Sequence, residues 1–188
     1  MTMYDIILLG GDIMKRISTE DFDKAYSVLA DAFIPEEIKS YPRLLSEFMT
    51  KGLQIFAEED DNDIVGVITC WEFENFVFVE NFAVIPEKRG CGIGTQLIND
   101  IISHFSGKSI ILEVEEPDSD TRKRRVEFYE KCGFTLSDTT YIQPALRDKP
   151  SEINLRIMHT NTINKALLTA YKEEIFARVY GEYKAKYL

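Results

Sequence analysis

Val84-Ile85-Pro86-Glu87-Lys88-Arg89-Gly90-Cys91-Gly92-Ile93-Gly94-Thr95 is the stretch from which the chain is best read. A strand-like run, Phe76 to Ile85, feeds a turn with glycine at every second position. A helical pattern begins near Gly94. This is the sequence form of an anion cradle. Backbone N–H groups at a helix start point outward, glycines admit a close approach, and Arg89 stands beside them.

Around this turn the pattern alternates strands and helices. Ile13 to Ile17 reads as a short strand. A helix follows, capped by Ser18 or Thr19 and closed by Pro35, with Phe22, Tyr26, Leu29, Ala30 and Phe33 at helical spacing. A second helix is predicted over Leu44 to Lys51. Gln54 to Glu58 and Ile64 to Phe73 read as a hairpin around Asp60-Asp61-Asn62-Asp63. Beyond the glycine turn, Leu97, Ile98, Ile101, Ile102 and Phe105 mark one helical face that Gly107 ends. Ser109 to Glu115 is a buried-looking strand. A helix runs from Pro117-Asp118-Ser119-Asp120 to Lys131, and Phe134 to Ile142 with Ile153 to Met158 form a hairpin. Strand–helix–strand–helix in the middle implies a parallel pair, and the hairpins add antiparallel strands. The expectation is a mixed α/β fold with helices over the sheet. Residues 1–160 form the domain, and 161–188 an amphipathic helix on which Leu168, Tyr171, Ile175, Val179 and Tyr183 share a stripe. That stripe fits docking on the chain's own domain or on a partner.

Composition narrows the function. The 188 residues are 45 % hydrophobic and 12 % aromatic, enough for a core, and no apolar run is long enough for a membrane helix. Met1 to Leu9 is apolar but carries Asp5 and lacks a basic lead, so it reads as structure rather than a signal peptide. The net charge of −10 argues against nucleic-acid or anionic-membrane partners and suits a cationic or amine substrate. Cys70, Cys91 and Cys132 are widely spaced, which fits reduced thiols, a cytoplasmic location and no metal site. His104 and His159 have no arrangement that suggests catalysis, and Cys91 has no neighbouring histidine to activate it.

Three anion-binding motifs are separable. The dinucleotide pattern G-x-G-x-x-G fails because Thr95 stands where its third glycine belongs. The nucleoside-triphosphate loop fails because Gly107-Lys108-Ser109 has no glycine upstream at the needed spacing. What remains is Arg89-Gly90-Cys91-Gly92-Ile93-Gly94 after a strand and opening a helix.

That run resembles the pyrophosphate signature [R/Q]-x-x-G-x-[G/A] of the GNAT superfamily, the acetyl-coenzyme-A-dependent N-acetyltransferases, with Arg89, Gly92 and Gly94 in its places. Glu127-Phe128-Tyr129-Glu130-Lys131-Cys132-Gly133-Phe134 resembles the ending of the family's next helix, and Glu80-Asn81-Phe82-Ala83-Val84 its strand before the loop. The likeness spans roughly Ile13 to Met158. It implies a central sheet of about seven strands, mostly antiparallel with one splayed parallel pair, helices on both faces, and acetyl transfer from acetyl-coenzyme A to a primary amine by direct attack. The N–H groups of Arg89, Gly90, Cys91, Gly92, Ile93, Gly94 and Thr95, with Lys88, would take the pyrophosphate. The backbone of Phe82, Ala83 and Val84 would pair with the amide arm. Glu80 is the implied base and Tyr129 the acid that protonates the leaving sulfur, with Phe128 beside it. Arg122 stands where many relatives carry an asparagine that contacts the cofactor. The cluster Arg122 to Arg125 is either near a second phosphate or a solvated helix start. Asn81, Glu113, Glu115 and Tyr141 are candidates to line the acceptor pocket, to which Glu58 and Glu59 would add negative charge. Monomer and homodimer both remain open. An acyl-coenzyme-A sensor without catalysis, using the C-terminal helix for a partner, is the alternative.

Overall fold

The computed structural model describes residues 14–144, 146 and 153–181. The apolar N-terminal stretch before residue 14 and Tyr183 of the C-terminal stripe lie outside the described residues. Among the described residues, seven strands and five α-helices make a mixed α/β fold whose sheet is mostly antiparallel with one parallel pair. The chain divides into two compact units. One takes the described part of Met1–Glu72 with Val79–Ser106, the other Phe73–Phe78 with the described part of Gly107–Leu188.

The first unit contains β1 (Lys15–Arg16), α1 (Phe22–Ala32), α2 (Tyr41–Thr50), β2 (Leu53–Asp60), β3 (Asp63–Glu72), the end of β4 (Phe76–Val84) and α3 (Ile93–His104). β2 and β3 pair antiparallel from Leu53↔Trp71 to Asp60↔Asp63, with a shift in register at Glu58/Glu59. Asp61 and Asn62 both have positive φ, 52° and 70°, the backbone a two-residue hairpin turn demands and asparagine tolerates. Consecutive residues of both strands are buried, so apolar side chains are covered on either face of the hairpin. α1 packs on β3, α2 on β2, and α3 on both. α3 comes so close that a Cβ on Gly66 would stand 2.6 Å from Leu97 Cδ1.

Helix starts differ from the sequence expectation. α1 opens after Asp21 rather than Ser18 or Thr19, and the Asp21 carboxylate is bound by Lys15 instead of capping. α2 opens three residues early at Tyr41, because Pro42 suits a first turn. His104 lays its ring against Phe56 at 5.2 Å, and Asp100 accepts from Gln96.

The second unit holds the start of β4, β5 (Ser109–Glu115), α4 (Asp120–Lys131), β6 (Thr135–Ile142), β7 (Asn154–His159) and α5 (Lys165–Ile175). Its strands run in the order β5-β7-β6, with β7 antiparallel to both neighbours. α5 opens on Asn164, whose Oδ1 accepts from Leu167 N, and continues as one π-helical turn, Phe176–Tyr180. Leu168, Tyr171, Ile175 and Val179 are buried, and Tyr171 stacks on Phe76 at 4.2 Å. The four described residues of the expected stripe are therefore buried. No described helix is long and apolar enough to cross a membrane.

Candidate active site

In the first unit, β4 ends at Val84 and Pro86–Lys88 makes a single 3-10 turn before the glycines. Arg89 Nε donates to the Val84 carbonyl at 2.9 Å and folds the loop back on the strand that precedes it. Gly90 and Gly92 have φ of 79° and 90°, where a side chain brings strain although space is open. Gly92 serves as the N-cap of α3, and the first bond of the helix runs from Gln96 N to Gly92 O. The N–H groups of Ile93, Gly94 and Thr95 thus precede the intrahelical ladder and have no partner within the helix. They lie at its positive end, on a loop in which Arg89, Gly90, Cys91, Gly92 and Thr95 are exposed. The geometry fits a diphosphate. Lys88 forms an ion pair with Asp60 of the β2–β3 turn, and that contact raises the ammonium above its ordinary range.

Along β4 the side chains alternate. Phe82 and Val84 are half-buried, as is Glu80 taken as a whole residue although its side chain is only 5 % exposed, while Asn81 and Ala83 are buried. Asn81 is tied to β3, its N–H donating to Thr69 Oγ1 at 2.9 Å. Glu80 has partners on both oxygens. Oε1 lies 2.8 Å from Lys39 Nζ, and Oε2 accepts from the Trp71 indole N–H at 2.7 Å. Lys39 Nζ also reaches Glu47 Oε2 at 2.6 Å and lies over the Trp71 ring. Lys39, Glu47 and Trp71 were not foreseen as neighbours of Glu80. Glu47 carried a signal, since it sits three residues after Leu44 on the apolar stripe of α2, where a carboxylate requires a buried cation. Glu58 is buried and Glu59 pairs with Lys15.

In the second unit, Tyr129 is buried on α4 between the rings of Phe128 and Phe134, at 5.1 and 5.7 Å. Burial pushes its phenol up to about 12, so at neutral pH it holds its proton and can only donate it. Ser119 caps α4. The basic start of this helix, unfavourable by itself, is offset by acids. Arg122 meets Glu115 Oε1 at 2.5 Å and Asp118 Oδ1 at 2.7 Å, and Arg125 meets Glu115 Oε2 at 2.8 Å. Contacts with Asp118 and Glu115 raise the Arg122 guanidinium further. Glu115 is thus engaged by two arginines.

The structure brings two other candidates, Glu113 and Tyr141, into direct contact. The Tyr141 hydroxyl donates to Glu113 Oε1, and Tyr180, which sequence reading missed, donates to Oε2. Burial and the Glu113 charge raise the Tyr141 phenol well above its ordinary value. Tyr180 has no signal in the helical stripe, because the π-helical turn changes which residues share a face. The three cysteines are free, and Cys91 is the exposed one. Among the described residues no group of three or more metal-ligating side chains occurs.

Comparison with known proteins agrees with this geometry. The chain is 33 % identical over 112 residues, 58 % of its length, to "Putative acetyltransferase YjbC" of Bacillus subtilis (strain 168), of which the match spans 55 %. It is 28 % identical over 130 residues to the [ribosomal protein bS18]-alanine N-acetyltransferase of Haemophilus influenzae, covering 67 % of this chain and 83 % of that one. Among solved structures, the "Putative acetyltransferase from GNAT family" of Bacteroides thetaiotaomicron superposes with a TM-score of 0.82 at 28 % identity, over 89 % of this chain and 98 % of that one. Residues 21–134, which include the glycine loop, Glu80 and Tyr129, match the model of the acetyltransferase (GNAT) family, and the chain belongs to that family.

Proposed function

We propose that the protein transfers the acetyl group of acetyl-coenzyme A to a primary amine by direct attack in a ternary complex. The observation that carries this reading is the Arg89–Thr95 loop, with two left-handed glycines and a helix start open to an anion, inside a GNAT match. Bound there through its diphosphate, the co-substrate supplies an activated acetyl thioester. The N–H groups of Ile93, Gly94 and Thr95 hold the phosphates, and the backbone of Phe82 to Val84 orients the amide arm.

The residues divide the proton work. An alkyl amine is protonated at neutral pH and cannot attack until it loses that proton. Glu80 accepts it, directly or through water, on a lone pair not used by Lys39 or Trp71. The amine nitrogen then bonds to the thioester carbon as the carbon–sulfur bond breaks, and it sheds its second proton to water. Tyr129 gives its proton to the departing sulfur and recovers one from solvent. The products are an amide and a free thiol.

The acidic balance supports a cationic small molecule such as a polyamine as acceptor. The relationship to an alanine N-acetyltransferase favours a protein N-terminus as the second reading. A sensor that recruits a partner through the C-terminal stripe loses its main argument, since Leu168, Tyr171, Ile175 and Val179 are already buried.

The test is to mix the protein with acetyl-coenzyme A and a panel of amines, including spermidine and an alanine-ended peptide, and to follow free thiol. Turnover on at least one is expected. Tight cofactor binding with no turnover on any would overturn catalysis in favour of sensing. Tyr129→Phe should lower turnover by about 10²-fold or more while sparing cofactor affinity. Equal loss of both would refute its role as acid.

A further inference from the structure

Lys39 lies between α1 and α2, with its side chain 0 % exposed. Its ammonium has three neighbours. These are Glu47 Oε2 at 2.6 Å, Glu80 Oε1 at 2.8 Å and the face of Trp71, 5.1 Å from the ring centroid. A buried ammonium requires compensation, and one carboxylate would supply it. Here there are two. The added negative charge is met at the far side of Glu47, where Arg43 Nε stands 3.2 Å from Oε1 and Lys51 Nζ 3.9 Å.

The second carboxylate has a consequence for chemistry. Lys39 stays anchored to Glu47 whatever happens at Glu80, and Trp71 holds the other Glu80 oxygen. When a proton arrives at Glu80 the Lys39–Glu80 attraction weakens, but neither neighbour needs to move. A carboxylate held this way keeps one geometry in both of its charge states, as a group that cycles through protonation on every turnover requires.

We infer that Lys39 is a positioning residue for the transfer reaction: fixed by Glu47, it aims the Glu80 carboxylate, with Trp71 as the second restraint. The inference rests on the reading of Glu80 as the proton acceptor. Lys39 itself needs no contact with substrate.

The test uses the full chain with Lys39→Met, Lys39→Arg, Glu80→Gln and the Lys39→Met/Glu80→Gln double variant. Turnover is read with acetyl-coenzyme A and the acceptor found in the amine panel. In parallel, the ¹⁵N–¹H signal of the indole is recorded, which is unambiguous because Trp71 is the only tryptophan. Lys39→Met is expected to lower kcat roughly 10- to 100-fold, with KM for acetyl-coenzyme A within about twofold. Lys39→Arg restores part of the loss. In the Glu80→Gln background, Lys39→Met costs little more, because both changes act through one carboxylate. The indole signal of Lys39→Met moves in the direction that Glu80→Gln moves it.

A Lys39→Met protein that only melts earlier, with kcat per folded site unchanged, overturns the inference. So does a loss that multiplies in full with that of Glu80→Gln. If Glu80→Gln alone leaves kcat intact, the proton-acceptor reading falls and takes this role with it. Failure of Lys39→Met against a damaging Glu80→Gln sinks only the role of Lys39. Should Lys39→Met not fold, Glu47→Gln loosens the same ammonium and must show the same pattern at smaller amplitude. If no amine turns over, the proton-acceptor reading falls and takes this role with it.

Discussion

Two carboxylates, one in each unit, are enclosed in opposite ways. Glu80 in the first unit faces an ammonium and an indole N–H, inside a cluster where Lys39 and Arg43 offset Glu47 and Glu80. Glu113 in the second unit is met by the phenols of Tyr141 and Tyr180, neutral donors on β6 and on the turn after α5. The first arrangement holds Glu80 among formal charges that stay in place when a proton moves. The second has none to offer, and it ties the C-terminal segment to the sheet. The contrast teaches that an enclosed glutamate on a strand is not a site by itself. What decides is whether its neighbours are fixed formal charges or neutral dipoles.

The largest effect that separates the two is on turnover. Glu80→Gln should reduce kcat by about 10²–10⁴-fold, and Glu113→Gln by less than about tenfold, in the same thiol-release assay. Comparable losses would erase the distinction. Stability comes next. Removing the cation of the charged cluster, Lys39→Met, should cost about 3–5 kcal/mol in urea unfolding, because two buried carboxylates then face each other without it. Tyr180→Phe should cost about 1–3 kcal/mol, since it removes a single donor from Glu113.

Alkaline pH sharpens the comparison. Unfolded phenols lose their protons near 10, whereas burial holds the Tyr129 proton to about 12 and raises Tyr141 as well. Across that window the native state binds more protons than the unfolded chain, so stability is intact below pH 10 and falls as pH rises through it. Melting temperatures measured from pH 8 to 11 should decline in the upper part of the range, and Tyr141→Phe should flatten the decline. A flat profile in the parent protein would contradict the raised phenols of Tyr129 and Tyr141. The smallest effect belongs to the surface. Arg122→Ala should leave stability almost unchanged in urea unfolding, although Arg122 pairs with both Glu115 and Asp118, because water and side-chain entropy cancel most of such a pair.

Much of this was legible in the chain itself. The order of strands and helices followed from apolar periodicity, and Ser109–Glu115 was placed to the residue. Glycine positions announced the loop, since only glycine takes the φ of 79° and 90° that the turn requires. Helix starts were less readable. Ser18, Thr19 and Asp21 are all acceptable caps, and the choice was made by Lys15, which draws Asp21 into an ion pair six residues away.

The local code therefore settled whatever depends on a few consecutive residues: the elements and the glycine turn. It did not settle partners. Lys39 and Glu80 are far apart in the chain, as are Glu113 and Tyr180, and no pattern of spacing links either pair. Burial decided them, because a charge or a phenol carried into the core must find a complementary group, and only the folded chain fixes which one lies within reach.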